Sequence, residues 1–280
     1  MTNQDPIFQA VKGLNEGFCD QYNAVVQELK KTTLETPCTY LNSLRRAIKH
    51  INKKHEALIG VILDIDWSSY DGEETPRVFV EFLAELVSVR TFYVNVCLRS
   101  LVKQLVPKTE VSEENMPALR KKCEHIHTAI RTILHIAPLS SKFIVGAAKH
   151  NFPYLGKKLF ILETYTFQLL QLATYARDVR LELLQLLIDK IISIDVLTHR
   201  HKLQHVCESE EENVNKLDQL MVILFTYVDT VSFMDGVLDY EGSRSLFKDF
   251  LAVHQHFIMK TQCTHVQFLL FYMSSFHKVG

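Results

Sequence analysis

The stretch from Leu217 to Phe276 constrains the fold of this chain more than any other. Leu217, Leu220, Leu224, Val228 and Val231 recur at steps of three and four, which stacks them on one face of a helix. Gly236 marks a turn, and Ser243 to Phe257 predicts a second helix with Leu246, Phe250, Val253 and Phe257 in line. The closing run, Thr264 to Phe276, differs in kind. Phe268 to Met273 is apolar without interruption, and a helix apolar all round leaves no face for water. Such a helix calls for cover on several sides, from further chain in a longer parent or from a partner.

The same spacing runs through the rest of the chain. Ile7 to Lys31 reads as helix, interrupted or bent near Gly13 and Gly17, and Pro37 opens a helix that runs to Ile51. Another follows from His55 towards Asp64, and Trp67 to Gly72 is a loop. Thr75-Pro76 starts a helix whose buried stripe is Phe79, Phe82, Leu83, Leu86 and Val87, with Pro76 in the first turn, where its missing N–H is harmless. Thr91 to Val106 follows, then a polar loop from Lys108 to Pro117, then helices at Ala118 to Ala137 and Ser140 to Lys149. Lys157 to Arg177 and Asp178 to Asp195 read as an antiparallel pair. In its second helix Leu181, Leu184, Ile188 and Ile191 face inwards, and Glu182, Gln185, Asp189 and Ser193 lie opposite.

Only 9 Gly and 7 Pro in 280 residues leave few tight turns, and strand-like alternation is hardly visible, so the fold class is all-α. The pair from 157 to 195 spans about 39 residues, close to the ~40–47 of a HEAT-type unit. The units 75–107 and 118–150 are shorter but similar in kind, and no residue signature repeats between them. The expectation is an irregular α-solenoid of HEAT-like helical pairs, residues 1–280 forming a single repeat domain, the N-terminal part of a longer solenoid. A compact helical bundle is the alternative.

Charge and cysteine content narrow the function. A formal net charge of −1 argues against gripping phosphate backbones. Arg45, Arg46, Lys49, Lys53 and Lys54 form the densest basic cluster and Arg120-Lys121-Lys122 a smaller one; a solvated helix face explains both, and direct DNA binding is not expected. The 6 cysteines are widely spaced without a C-x-x-C pair, as in reduced intracellular thiols. The amino terminus has no charged-then-apolar signal, and no apolar run approaches the ~18 residues a membrane span needs.

Candidate chemistry is sparse. His199, His201, His205 and Cys207 cluster, but no H-E-x-x-H or paired-cysteine frame supports a metal. Asp235 to Gly242 fails as a calcium loop, because counting from Asp235 places Val237 third and Tyr240 sixth. Glycine-rich phosphate loops and a G-x-S-x-G elbow are absent. No cofactor is implied and an enzyme is not expected. Ser209 is the candidate phosphorylation site, since it precedes Glu210-Glu211-Glu212 in an acidic loop before Leu217, where phosphate would add about −1.5 to −2 charge.

Several strings, in order, resemble one family. They are Leu217-Asp218-Gln219-Leu220-Met221, Asp235-Gly236-Val237-Leu238-Asp239, and His265-Val266-Gln267-Phe268 with Phe271-Tyr272 and Ser275-Phe276. Upstream, Leu86-Val87-Ser88 with Cys97-Leu98 and Val106-Pro107, Asn151-Phe152-Pro153-Tyr154 with Glu163-Thr164-Tyr165 and Leu169-Leu170, and Glu182-Leu183-Leu184 through Asp195-Val196 continue the match. The whole is similar to the RNA polymerase I-specific transcription initiation factor family over most of residues 50 to 280. The resemblance implies a HEAT-like solenoid, no catalysis, and residence in the nucleus and nucleolus. It further implies binding of RNA polymerase I, recruitment to ribosomal DNA promoters, and contact with a promoter-bound core factor through repeats C-terminal to those present here.

This sequence departs from the family pattern in two places. The acidic, serine-rich insertions common in the family are short here, at Lys108 to Pro117 and Thr198 to Lys216. The later repeats are absent. Family members dock on the polymerase through a serine-bearing face, for which Ser140 and Ser141 are the candidate partner-binding residues; helix capping after Pro138 explains them equally well. A generic helical scaffold, or a truncated relative without initiation activity, is the competing reading.

Overall fold

The structure is a computed structural model that describes residues 5–31, 36–67, 70, 72–202, 207–256, 266 and 268–275, with side chains for all of these except 31, 197–202, 207–211, 256 and 270. Within it the chain is almost wholly helical. Two compact units can be distinguished, one of residues 1–105 and 111–147 and one of 106–110 and 148–280.

The first unit begins with α1 (Pro6–Glu16), α2 (Asp20–Lys31), α3 (Pro37–Ala47) and α4 (Glu56–Asp64). Asp5 starts α1 by accepting from the backbone N–H of Ile7 at 3.1 Å, satisfying a donor the first helical turn leaves free. The interruption expected near Gly17 is there, with Gly17 in the left-handed region at φ 98°. Then come α5 (Glu74–Val89), α6 (Val94–Gln104) and α7 (Met116–Ile136). Helices α1, α3, α5 and α7 pack in sequence as one row and α2, α4 and α6 as another. This two-row layering is what helical pairs produce when each buries its apolar stripe on its neighbour. The stripe read for α5 is buried as expected, Phe82, Leu83, Leu86 and Val87 fully so. Trp67, in the expected loop, is buried too; its indole Nε1 donates to the Ile62 carbonyl at 2.8 Å.

Helix α8 (Lys142–His150) leads into the second unit, which holds α9 (Leu159–Tyr175), α10 (Arg180–Lys202), α11 (Cys207–Ser232), α12 (Tyr240–His256) and α13 (Phe268–Ser275). Here α9 packs on α11 and α10 on α12. Three sequence expectations change. First, α10 is not inward on one stripe only: Leu183, Leu186, Leu187, Ile192 and Ile194 are buried besides Leu184, Ile188 and Ile191, because α9, α11 and α12 all pack against it. Second, the acidic stretch read as a loop before Leu217 is helical from Cys207 onward. Third, the turn at Gly236 is a β-hairpin: β1 (Phe233–Met234) pairs antiparallel with β2 (Val237–Leu238). Asp235 at φ 51° and Gly236 at φ 78° form its two-residue turn, as the right-handed strand twist demands. Helix α13, expected to take its cover from further chain or a partner, has cover on one side only among the described residues. Leu269 and Met273 are buried while Phe268 and Phe271 are 51% and 64% exposed.

No residue signature repeats, yet the backbone does. The helix pairs α5–α6, α7–α8 and α9–α10 are joined by the same device. One residue leaves the helix, Arg90 (φ −135°, ψ 75°), Ala137 (φ −131°, ψ 73°) or Ala176 (φ −91°, ψ 62°). Its N–H still bonds the carbonyl four residues back, and a single 3-10 turn follows, at Thr91–Tyr93, Pro138–Ser140 and Arg177–Val179. The third residue of each turn (Tyr93, Ser140, Val179) is buried, and the second (Phe92, Leu139, Asp178) is exposed. These junctions lie 47 and 39 positions apart, the spacing of HEAT-type units.

Candidate partner-docking site

The serines singled out by the sequence sit at the second of these junctions. Pro138 cannot continue α7 as a hydrogen-bonded helix, since it lacks the N–H, so the chain tightens into the 3-10 turn. Ser140 takes the buried third place, 6% exposed, and its Oγ donates to the Ala137 carbonyl at 2.6 Å. Ser141 is 8% exposed, and its carbonyl accepts from the Ile144 N–H at 2.9 Å as α8 begins. Both serines therefore face inwards, and Ser140 is used in closing the turn. The side chain this turn offers to solvent is Leu139, 89% exposed, with Ile136 beside it at 36%. Sequence reading missed Leu139; the signal available was an apolar residue directly after a helix-ending proline.

Ser209 lies elsewhere, in the first turn of α11, and its side chain falls outside the described residues, as do those of His199, His201, His205 and Cys207. Beyond it, Lys216 is buried, with its ammonium 2.6 Å from the Glu212 carboxylate and 3.3 Å from the Leu155 carbonyl it donates to. Asp218 and Gln219 are exposed between buried Leu217 and Leu220, so only the leucines of that string serve the core.

The other strings carrying the family resemblance are largely architectural. Asp239 caps α12, its Oδ1 accepting from the N–H groups of Glu241 and Gly242 at 3.1 Å each. Phe152 and Tyr165, from two separate strings, meet edge to face at 5.6 Å, and the Tyr165 hydroxyl donates to the Ala148 carbonyl at 3.1 Å. A Cβ at Gly156 would lie 2.5 Å from the Tyr154 ring, which is 79% exposed and would have to move. On α13, Tyr272 donates to Asp229 of α11 at 2.6 Å and packs edge to face on Phe225; bonding to the carboxylate pushes its hydroxyl up to about 12. Burial raises the thiols of Cys97 and Cys123 to about 12 and about 11, so neither is nucleophilic near neutrality.

The basic clusters divide. Arg45 bridges α3 to α5, its guanidinium 2.7 Å from Glu81 and 2.5 Å from Glu85, and Arg46 lies 3.7 Å from Asp5. Lys121 pairs with Glu73 at 2.8 Å, and Lys122 pairs with Asp66. A buried pair missed by the sequence reading joins α10 to α12: Arg180 Nε donates to Asp249 at 2.6 Å and another guanidinium nitrogen donates to the Ser245 hydroxyl at 2.7 Å.

Comparison with known proteins agrees with this architecture. The family described as RNA polymerase I specific transcription initiation factor RRN3 matches residues 4–213 and 197–279. The RNA polymerase I-specific transcription initiation factor RRN3 of Mus musculus is 24% identical, over 90% of this chain and 47% of its own length. Its counterpart in Schizosaccharomyces pombe is 24% identical, over 84% of this chain and 45% of its own. A crystal structure of RNA polymerase I transcription initiation factor Rrn3 superposes with a TM-score of 0.80 at 20% identity, over 96% of this chain and 55% of that one. The chain thus spans about half the length of the curated relatives it matches. A family match running almost end to end, on helical pairs joined by a recurring junction, identifies the chain as a member of the RNA polymerase I specific transcription initiation factor RRN3 family.

Proposed function

We propose that this chain acts in RNA polymerase I transcription initiation, binding the polymerase and helping to recruit it to ribosomal DNA promoters, without catalysis of its own. The observation that carries this reading is the family match over residues 4–213 and 197–279. So read, the chain works in the nucleus, within the nucleolus. On this reading residues 1–280 are the N-terminal part of a longer repeat domain, and contact with the promoter-bound core factor belongs to later repeats.

The junction after α7 is the polymerase-docking element in this proposal. Leu139 makes the apolar contact, and Ser140 and Ser141 set the turn that presents it. Phosphorylation at Ser209 is the proposed control. A phosphate in the first turn of α11 meets free backbone N–H groups and the positive end of the helix, while Glu210, Glu211 and Glu212 oppose it by like charge.

The test is retention of purified polymerase I, beside polymerase II, on immobilised chain. Selective retention of polymerase I, lost in Leu139→Asp and changed by Ser209→Asp, is the expected result. Equal retention of both polymerases would overturn the assignment, and retention unaffected by Leu139→Asp would move the docking surface elsewhere.

A further inference from the structure

The remaining lysines of the larger basic cluster gather at one end of the first unit. Lys49 sits in the 3-10 turn after α3, and Lys53 and Lys54 in the one before α4. All three are exposed and, unlike Arg45 and Arg46, make no ion pair among the described residues. The segment holding them is fixed to the junction after α5. Arg90 donates to the Lys49 carbonyl at 2.7 Å and the Ile51 carbonyl at 2.5 Å, and the Tyr93 hydroxyl donates to the Asn52 carbonyl at 2.8 Å. From the other side, Asn15 of α1 donates to the His50 carbonyl at 2.8 Å, and His55, fully buried, reaches the Val11 carbonyl at 3.0 Å. The lysine ammonium groups thus project from a rigid backbone rather than from a free loop.

Apolar surface is set among these charges. Phe92, in the outward position of its junction, is 40% exposed and Val89 is 43% exposed. The Lys53 ammonium lies 5.7 Å from the Phe92 ring centroid, within cation–π reach. Glu56 is exposed, and Glu16, next to Asn15, is exposed and 3.6 Å from Lys12, so Lys49, Lys53 and Lys54 leave this end with a positive excess in a chain whose net charge is −1.

We propose that this end of the first unit is a docking surface for an acidic protein segment, a run of Asp and Glu carrying an aromatic or large apolar residue. The carboxylates would pair with Lys49, Lys53 and Lys54, and the apolar side chain would lie against Phe92 and Val89. The chemistry favours peptide over nucleic acid. Lys49, Lys53 and Lys54, with one aromatic against Lys53, make a short spot rather than the stripe a phosphate backbone follows, well below the roughly 6–10 phosphate contacts of a strong backbone binder. The two proposals are tested by different residues, Lys49, Lys53, Lys54 and Phe92 here and Leu139 at the junction after α7.

The experiment is fluorescence anisotropy of the full chain with a short labelled peptide of Asp and Glu around one Phe. A peptide of the same length with alternating Lys and Glu and a short DNA duplex serve as comparisons. Only the acidic peptide should bind at low salt, and its affinity should fall as ionic strength rises. The triple variant Lys49→Glu/Lys53→Glu/Lys54→Glu should weaken it at least about tenfold. Phe92→Ala should weaken it less, and Lys149→Glu, an exposed lysine on α8, should leave it unchanged. Trp67 fluorescence checks that each variant is folded. Absence of acidic-peptide binding by the wild-type chain, or equal binding by the folded triple variant, would overturn the proposal. So would tighter binding of the duplex through the same lysines.

Discussion

Removing the Asp249 carboxylate should be among the most damaging single changes to the second unit. Its partner Arg180 has a side chain only 8% exposed, and Asp249 itself is 23% exposed. Breaking such a pair from one side costs about 3–5 kcal/mol, most of it the penalty of a buried charge left without its counter-ion. Two features hold the figure near the lower end. Water reaches part of the Asp249 site, and the Ser245 hydroxyl, 2.7 Å from the guanidinium, would remain as one acceptor. Asp249→Leu is therefore expected to cost about 3 kcal/mol, roughly a hundredfold in the opening equilibrium. Hydrogen exchange followed by mass spectrometry reads this locally, as faster exchange of the α10 and α12 amides. Trp67, the single tryptophan of the chain, sits in the first unit and reports separately on that unit. Arg180→Met combined with Asp249→Leu removes both charges and should recover most of the loss, because an apolar pair of similar volume needs no counter-ion. A single variant costing less than about 1 kcal/mol, the range of a surface pair, would refute the argument. A double variant at least as unstable as the single would refute it too.

Three further outcomes follow from the same structure. Phe82→Ala empties a fully buried site in α5 and should cost about 3–5 kcal/mol; Trp67 reads it directly in a urea titration, since Phe79 stacks on Trp67 at 5.4 Å and on Phe82 at 6.5 Å. Gly236→Ala forces a side chain into φ 78° and should cost about 1 kcal/mol, whereas Gly236→Asn should cost less; equal melting temperatures for wild type and both variants would count against the hairpin. Tyr272→Phe should lower stability by about 1.5 kcal/mol near neutral pH. Because the Tyr272 hydroxyl is raised from 10.0 to about 12 in the folded chain, its contribution is complete below pH 10 and lost as pH rises through about 12. The difference between wild type and Tyr272→Phe should accordingly shrink over that window, and a difference constant across it would argue against the Asp229 bond.

Much of the fold was legible because helical burial is periodic. The stripes of α5 and of α11 from Leu217 to Val228 were read from spacing alone and are buried. Where the reading failed, a pattern had more than one physical cause. The Asp235-Gly236 pair was read only as a turn between helices; two short strands flank it, and at that length they show no alternation to recognise. The acidic run before Leu217 was read as loop because charge suggested solvent, but a solvated helix carries charge as readily as a loop does.

The candidate site was less legible, for a different reason. Ser140 and Ser141 were picked out by residue type and position after Pro138, and sequence cannot say which way a side chain turns at a helix junction. The backbone does: in the repeated 3-10 turn the third residue is buried and the second exposed, so Leu139 faces solvent and Ser140 does not. The basic cluster shows the same division. Sequence placed Arg45, Arg46, Lys49, Lys53 and Lys54 together; the packing of α3 on α5 gave Arg45 to Glu81 and Glu85 and left the lysines free of ion pairs among the described residues. By itself, then, the sequence determined the helical class, the family and most buried stripes, because local periodicity and motif order are written along the chain. Tertiary structure alone decided which charges are neutralised and which apolar residues remain at the surface. Both depend on neighbours more than thirty residues away in the chain, as Arg45–Glu81 and Arg180–Asp249 are.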